Sequence, residues 1–258
     1  MCNQRQSRMA TKQTLPQVNM SEHGKVRYLH LGTEWVQGSM DIGKPNQIEL
    51  EYVQRMQAWL LFVPSQEVPD LHAMQLGLGA AALTKNCHKV LGLRTTAIEL
   101  NPQVVAACRT WFKLGPDDER LSVVLGDAAE VAAHPHWRGQ VDALHVDLYD
   151  HEAAAPVLDD ADFYAHCRQL LTLNGNMLVN LFGRSSSFER SLGHISQAFG
   201  ADAVWAFKPT KEGNTVVLAQ RSPSRPERDL LQARAEQIET LWGLPATLWL
   251  KVLKPVQA

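Results

Sequence analysis

Cysteine is scarce in this chain. Only Cys2, Cys87, Cys108 and Cys167 occur in 258 residues. None forms a CxxC pair or a metal-ligand spacing, which argues against a disulfide framework and against a cysteine-built metal site. The pattern predicts free thiols in a reducing, cytoplasmic setting with no metal. A basic excess is also missing: 25 Lys and Arg face 27 Asp and Glu, for a net charge of −2. Nucleic acid is therefore not the expected partner. No apolar run approaches the roughly 20 residues needed to cross a bilayer, so no membrane partner is expected. The opening MCNQRQSRMATKQTLPQVNM has no hydrophobic stretch of the signal-peptide kind. It reads as a disordered tail over residues 1–20.

What is present is ordinary globular composition, 45% hydrophobic and 20% charged. After the tail, residues 26–31 and 34–37 alternate apolar and polar around a Gly-Thr, as a β-hairpin does. Residues 49–62 carry Leu50, Val53, Met56 and Leu60 at helical spacing and stop before Pro64. Residues 65–70 read as a linker. These features define a small N-terminal region, residues 21–66. From there to residue 258 strand-like and helix-like segments alternate. Strands are expected at 71–76, 95–99, 121–125, 141–147, 176–182, 204–207 and 215–219. Helices are expected at 80–90, 102–113, 127–133, 161–171, 187–199 and 227–241, with Ser186 and Glu189 as a capping box. Such alternation implies an α/β, Rossmann-like domain, residues 67–258, built on a parallel sheet with helices on both faces and expected to carry any catalytic site at its strand ends.

Ligands in such sheets bind beyond the carboxyl ends of the strands. Each of the first four strands ends in glycine or a carboxylate. Gly77 and Gly79 follow the first, in AMQLGLGAAAL. Glu99 follows the second, about 20 residues after Gly79, where a ribose-binding acid is expected. Gly126 and Asp127 follow the third, and Asp147 through Asp150 the fourth. The third glycine of a dinucleotide fingerprint is Ala82, so the turn fits either a dinucleotide or an adenosyl cofactor. Asp127 can accept from the exocyclic amine of an adenine, and a ring of acids would repel a pyrophosphate. Both points favour the adenosyl group. His145 reads as a structural histidine in its strand, and His134 and His136 as surface-loop residues.

LGLG, IELNP (98–102), GDA (126–128), VDLYD (146–150), Glu51-Tyr52, Asp162-Phe-Tyr164 and KEGNT (211–215) together resemble the spermidine synthase-like family of polyamine aminopropyltransferases. The likeness spans about residues 24–220 and is nearest to the bacterial spermidine synthase-like branch. It implies a methyltransferase-type sheet preceded by a small β-region. It implies aminopropyl transfer from decarboxylated S-adenosylmethionine to an amine, with no metal. It also implies that Gln37 and Glu99 hold the ribose and methionine-derived part, and Asp127 and Ala128 the adenine. Asp147 would position or deprotonate the attacking amine, while Tyr52 and Asp150 would bind that amine. Family members often pair through such N-terminal regions, so a homodimer is expected. Three positions depart from the pattern. Ala80 stands where an aspartate usually binds the cosubstrate amine, Lys211 where a tyrosine approaches the polyamine, and Val53 where a glutamine follows the helix tyrosine. These departures leave open a methyltransferase using S-adenosylmethionine, or a nucleoside-binding homologue without turnover.

Overall fold

The computed structural model describes residues 15–149, 158–182 and 185–256. Three antiparallel strands open the fold: β1 (Val18–His23), β2 (Val26–Leu31) and β3 (Val36–Asp41), in the order β1-β2-β3. The hairpin is thus a three-stranded sheet, and β1 begins inside the segment read as a tail. It is tied down there: Gln103 accepts from the backbone N–H of Val18 at 3.2 Å, and the Asn101 amide donates to the Pro16 carbonyl at 2.9 Å. The strand expected at 34–37 runs later, because residues 38–41 complete the pairing with Val26–Leu29 across a bulge at Leu29/His30.

The helix expected over 49–62 divides into α1 (Glu51–Arg55) and a 3₁₀ turn, Ala58–Phe62. Ala58, Trp59, Leu60 and Leu61 are all buried, so this stretch has no solvent stripe to sustain an amphipathic helix. Gln57 anchors the break: its amide donates to Asn86 Oδ1 at 2.9 Å and accepts from the Trp59 indole at 2.8 Å. Residues 65–70, read as a linker, form a second 3₁₀ turn.

An eight-stranded sheet follows. Its strands are β4 (His72–Leu76), β5 (Arg94–Glu99), β6 (Leu121–Leu125), β7 (Val141–Val146), β8 (Leu171–Phe182), β9 (Val204–Phe207), β10 (Asn214–Gln220) and β11 (Leu253–Pro255). Their order is β11-β9-β10-β8-β7-β4-β5-β6. The run from β8 to β6 is parallel, whereas β10, β9 and β11 add antiparallel to one edge. The order reverses at β4, which has β5 on one side and β7 on the other. That is the topological switch point of an open α/β sheet.

The connecting helices are α2 (Ala82–Lys85), α3 (Pro102–Trp111), α4 (Ala128–Ala133), α5 (Ala161–Leu170), α6 (Ser185–Phe199), α7 (Arg228–Trp242) and α8 (Ala246–Val252). The helix expected from residue 80 starts later, since Ala81 sits in the left-handed region (φ 57°), and it ends in a π turn, Asn86–Val90. Helix α6 begins at Ser185, so Ser186 lies inside its first turn and is not the cap of a capping box. One apolar layer packs the 3₁₀ turn, α7 and α8 on one face of the sheet, where Trp249 is buried. The other layer holds α4, α5 and α6. There the Tyr164 hydroxyl donates to Asp159 Oδ1 at 2.9 Å, and Ser191 donates to the other oxygen at 2.7 Å, pinning α5 to α6. A third cluster seats β2 and β3 on α3 and the glycine turn.

Candidate active site

The site lies at the switch point. The chain leaves β4 through Gly77, whose φ is +87°. A Cβ there would lie 2.3 Å from the carbonyl oxygen of Asp147. Only glycine lets the ends of β4 and β7 come this close. The Gly77 N–H donates to Ile98 and the Asp147 N–H to Leu76, at 2.9 and 3.0 Å. Three strand ends are thereby locked side by side.

Above this turn passes β3. A Cβ on Gly38 would meet the Ala80 Cβ at 2.7 Å. The small sheet therefore rests on the glycine loop and carries Gln37 to its edge. Gln37, Ser39, Tyr52, Gln75, Gly79 and Asp147 line one pocket, which encloses about 310 Å³ including its open mouth.

Glu99 sits beneath the loop. Its Oε2 accepts from the Leu78 N–H at 2.9 Å and its Oε1 from the Asn101 N–H at 2.8 Å. Burial raises its pKa, and these backbone donors oppose the rise. Each carboxylate oxygen keeps a second lone pair for a ligand hydroxyl. Asp127 is exposed at the end of β6 and N-caps α4, accepting from the Ala129 N–H at 2.7 Å, with Ala128 buried behind it. These two residues lie outside the pocket lining, two strands from Gly77 along the same rim. With strands about 4.8 Å apart, the rim from β6 to β7 spans roughly 14 Å.

Asp147 is the most constrained acid. Tyr52 donates from its hydroxyl to Oδ2 at 3.3 Å, and Asn180 donates from its amide to Oδ1 at 2.9 Å. Burial pushes the Asp147 pKa up, while both donors pull it back. Burial and the neighbouring carboxylate hold the Tyr52 phenol well above its ordinary pKa, so it stays a donor. Tyr149 closes the cluster, donating to the Asn180 backbone carbonyl at 2.7 Å.

Gln37, Tyr52, Gly79 and Asp147 thus share one pocket, Gly77 and Glu99 support its floor, and Asp127 with Ala128 extends the rim. Asp150 and the neighbouring His151 lie outside the described residues. Lys211 is exposed in the turn before β10. Asn180 is more central than its strand-end position indicates, and Ser39 was missed. Ser39 lines the pocket beside Gln37 in the part of β3 beyond the bulge, which the sequence pattern did not mark as strand. The His134 ring accepts from the His136 N–H at 3.2 Å, as a turn cap. Among the described residues no group of three His, Cys, Asp or Glu could hold a metal ion, and no helix is long and apolar enough to cross a membrane.

No family model matches the chain. A curated relative in Neisseria meningitidis serogroup A, named polyamine aminopropyltransferase, is 32% identical over 235 residues, 90% of this chain and 87% of the relative. The chain belongs to the polyamine aminopropyltransferase family. Solved structures of lower identity share the fold. The crystal structure of a probable spermidine synthase from Corynebacterium glutamicum matches with a TM-score of 0.72 at 18% identity, covering 88% of this chain and 85% of that one. A spermidine synthase in complex with the transition-state analogue AdoDATO gives 0.63 at 14% identity, covering 91% and 87%. Outside the family, human methyltransferase-like protein 13 in complex with SAH gives 0.67 at 19% identity, covering 76% and 93%. The spermidine synthase and methyltransferase structures thus share this fold.

Proposed function

We propose that this chain transfers an aminopropyl group from decarboxylated S-adenosylmethionine to an amine acceptor. The observation that carries the reading is Asp147, fixed by two donors at the switch point and facing the pocket beneath Gln37 and Tyr52. An alkyl amine titrates near 10, so at neutral pH it arrives protonated and cannot attack. A buried carboxylate attracts that cation and, with its raised pKa, accepts the proton better than a surface aspartate would. The freed nitrogen lone pair then attacks the carbon attached to the sulfonium. The C–S bond breaks, its electron pair returns to sulfur, and methylthioadenosine leaves as a neutral thioether.

Glu99 holds the ribose hydroxyls in this reading, Gln37 the chain beyond the ribose, and Asp127 with Ala128 the adenine. Tyr52 and Asp150 bind the acceptor. The roughly 14 Å rim suits a nucleoside with a short alkyl chain laid across the strand ends. Residues 21–66 supply the cover and residues 67–258 the catalytic floor. The described cysteines are free and buried, which fits a cytoplasmic setting. Met20 and Val36, exposed on the small sheet, with Trp35 exposed in the turn before β3, support pairing of two copies there.

Calorimetric titration with decarboxylated S-adenosylmethionine, S-adenosylmethionine and methylthioadenosine tests the cosubstrate. The extra carboxylate of S-adenosylmethionine would approach Glu99 and Asp147. The decarboxylated form should therefore bind at least about tenfold tighter, a difference of about 1.4 kcal/mol. A preference for the carboxylated form would move the protein to methyl transfer.

A further inference from the structure

Asp147 is the end of a row of side chains that reaches two strands away. The Asn180 amide gives its NH₂ to Asp147 Oδ1 at 2.9 Å, while its own carbonyl oxygen accepts from the Asn214 amide at 3.1 Å. Asn180 is 3% exposed, so water does not compete for these bonds. The pairing of β8 and β10 builds the contact. Asn180 faces Val216, and Asn214 lies two residues along the same strand, hence on the same face. The turn before β10 fixes Asn214 in turn: Thr210 donates its N–H to the Asn214 carbonyl at 2.7 Å, and its hydroxyl accepts from the Asn214 N–H at 3.2 Å.

An amide can present either end to a neighbour, but an ionised carboxylate only accepts. Something must keep the NH₂ of Asn180 toward Asp147. We propose that Asn214 is a positioning residue, which fixes the orientation of the Asn180 amide and so holds Asp147 ionised and aimed into the pocket. The inference rests on the role given to Asp147 under the proposed function, but the row of bonds itself does not depend on what is transferred. The other titratable groups around Asp147 are Tyr52 from α1, Glu99 at the end of β5, Tyr149 beside it in the chain and His145 on its own strand. None of them is altered in the variants that follow.

Replacing Asn214 by aspartate inverts the row. A carboxylate at 214 accepts only, so Asn180 turns its NH₂ away and presents its carbonyl oxygen to Asp147. Two acceptors then face each other, and Asp147 is stabilised by taking a proton. Carboxyl NMR of ¹³C-labelled protein, with the Asp147 signal assigned by its loss in Asp147→Asn, reads this directly. Asn214→Asp should raise the Asp147 midpoint by at least about one pH unit, and the acid limb of the kcat profile should move with it. In an Asn180→Ala background the same substitution should shift the midpoint by no more than a few tenths. Glu212→Gln, an exposed change in the same turn, should leave it in place. If Asn214→Asp does not fold, the neutral Asn214→Leu should move the midpoint in the same direction by a smaller amount. An unmoved midpoint, or a shift of equal size with Asn180 removed, would overturn the proposal. The second result would mean that charge acts through space. A shifted midpoint in a protein that transfers nothing to any amine would keep the positioning role and remove the aminopropyl reading.

Discussion

Asp147→Asn is expected to lower kcat by about 10³-fold while leaving the affinity for methylthioadenosine within about twofold. General base catalysis by a placed carboxylate contributes about 10²–10⁴-fold. The asparagine is nearly the same size, so the pocket keeps its shape: its single oxygen can accept from Asn180, and the Tyr52 hydroxyl can turn to accept from its NH₂. What disappears is the charge that draws in a protonated amine and the lone pair that takes its proton. The nucleoside is held elsewhere in this account, by Glu99 and by Asp127 with Ala128. Steady-state kinetics with calorimetry on the same preparation separates the two effects. Equal loss of binding and turnover would mean that Asp147 supports the fold of the site and not the chemistry. Raising the pH should not rescue the variant, whereas it should partly rescue Asn214→Asp, because only the latter keeps a carboxylate to deprotonate.

A second large effect is expected in stability. His145 lies two residues before Asp147 on β7 and is 0% exposed, with no well-formed hydrogen bond to either ring nitrogen and only the Met56 and Met74 backbones near enough to act on the ring. Burial lowers its pKa from 6.5 to about 4, opposed by smaller backbone contributions from Met56 and Met74. The folded protein therefore binds fewer protons here than the unfolded chain between those two values. Stability from this group is complete above pH 6.5 and is lost as the pH falls toward 4. Two to three pH units correspond to about 3 kcal/mol. Asp147 and Glu99 act in the opposite sense over part of this range, because their folded pKa values are raised. The comparison with a His145→Met variant isolates the histidine. Urea unfolding at pH 7 and pH 4 should show the native protein losing about 3 kcal/mol more than the variant. At pH 7 the variant should be as stable or slightly more so, because a buried polar ring without a well-formed hydrogen bond is replaced by an apolar chain of similar size. Parallel losses in the two proteins would show that the protonated ring of His145 reaches a hydrogen-bond acceptor or solvent.

Much of the rim at the strand ends was legible because it is local. Strand, turn and acid follow one another in sequence at Leu76-Gly77, at Glu99, at Gly126-Asp127 and at Asp147. The period of the hydrophobic residues places each of them at a strand end. The cover was less legible. A bulge moved β3 along the chain, and the helix carrying Tyr52 stopped early because the residues after it are buried on every side. Helix α8 and β11 were missed, since seven and three residues are too few to show a period. His145 lies buried in its strand, as its alternation indicates, but spacing could not show that only the Met56 and Met74 backbones approach its ring. Asn214 could not have been placed from spacing. It meets Asn180 only because β10 returns antiparallel beside β8, a pairing of residues 34 apart.

The central claim is the identity of the group that moves. The purified protein should be incubated with decarboxylated S-adenosylmethionine and a panel of primary amines, and the products separated and weighed by mass spectrometry. The account predicts methylthioadenosine in one-to-one yield with an acceptor heavier by one aminopropyl group. No methylthioadenosine with any amine, or a methylated acceptor formed from S-adenosylmethionine, would contradict it.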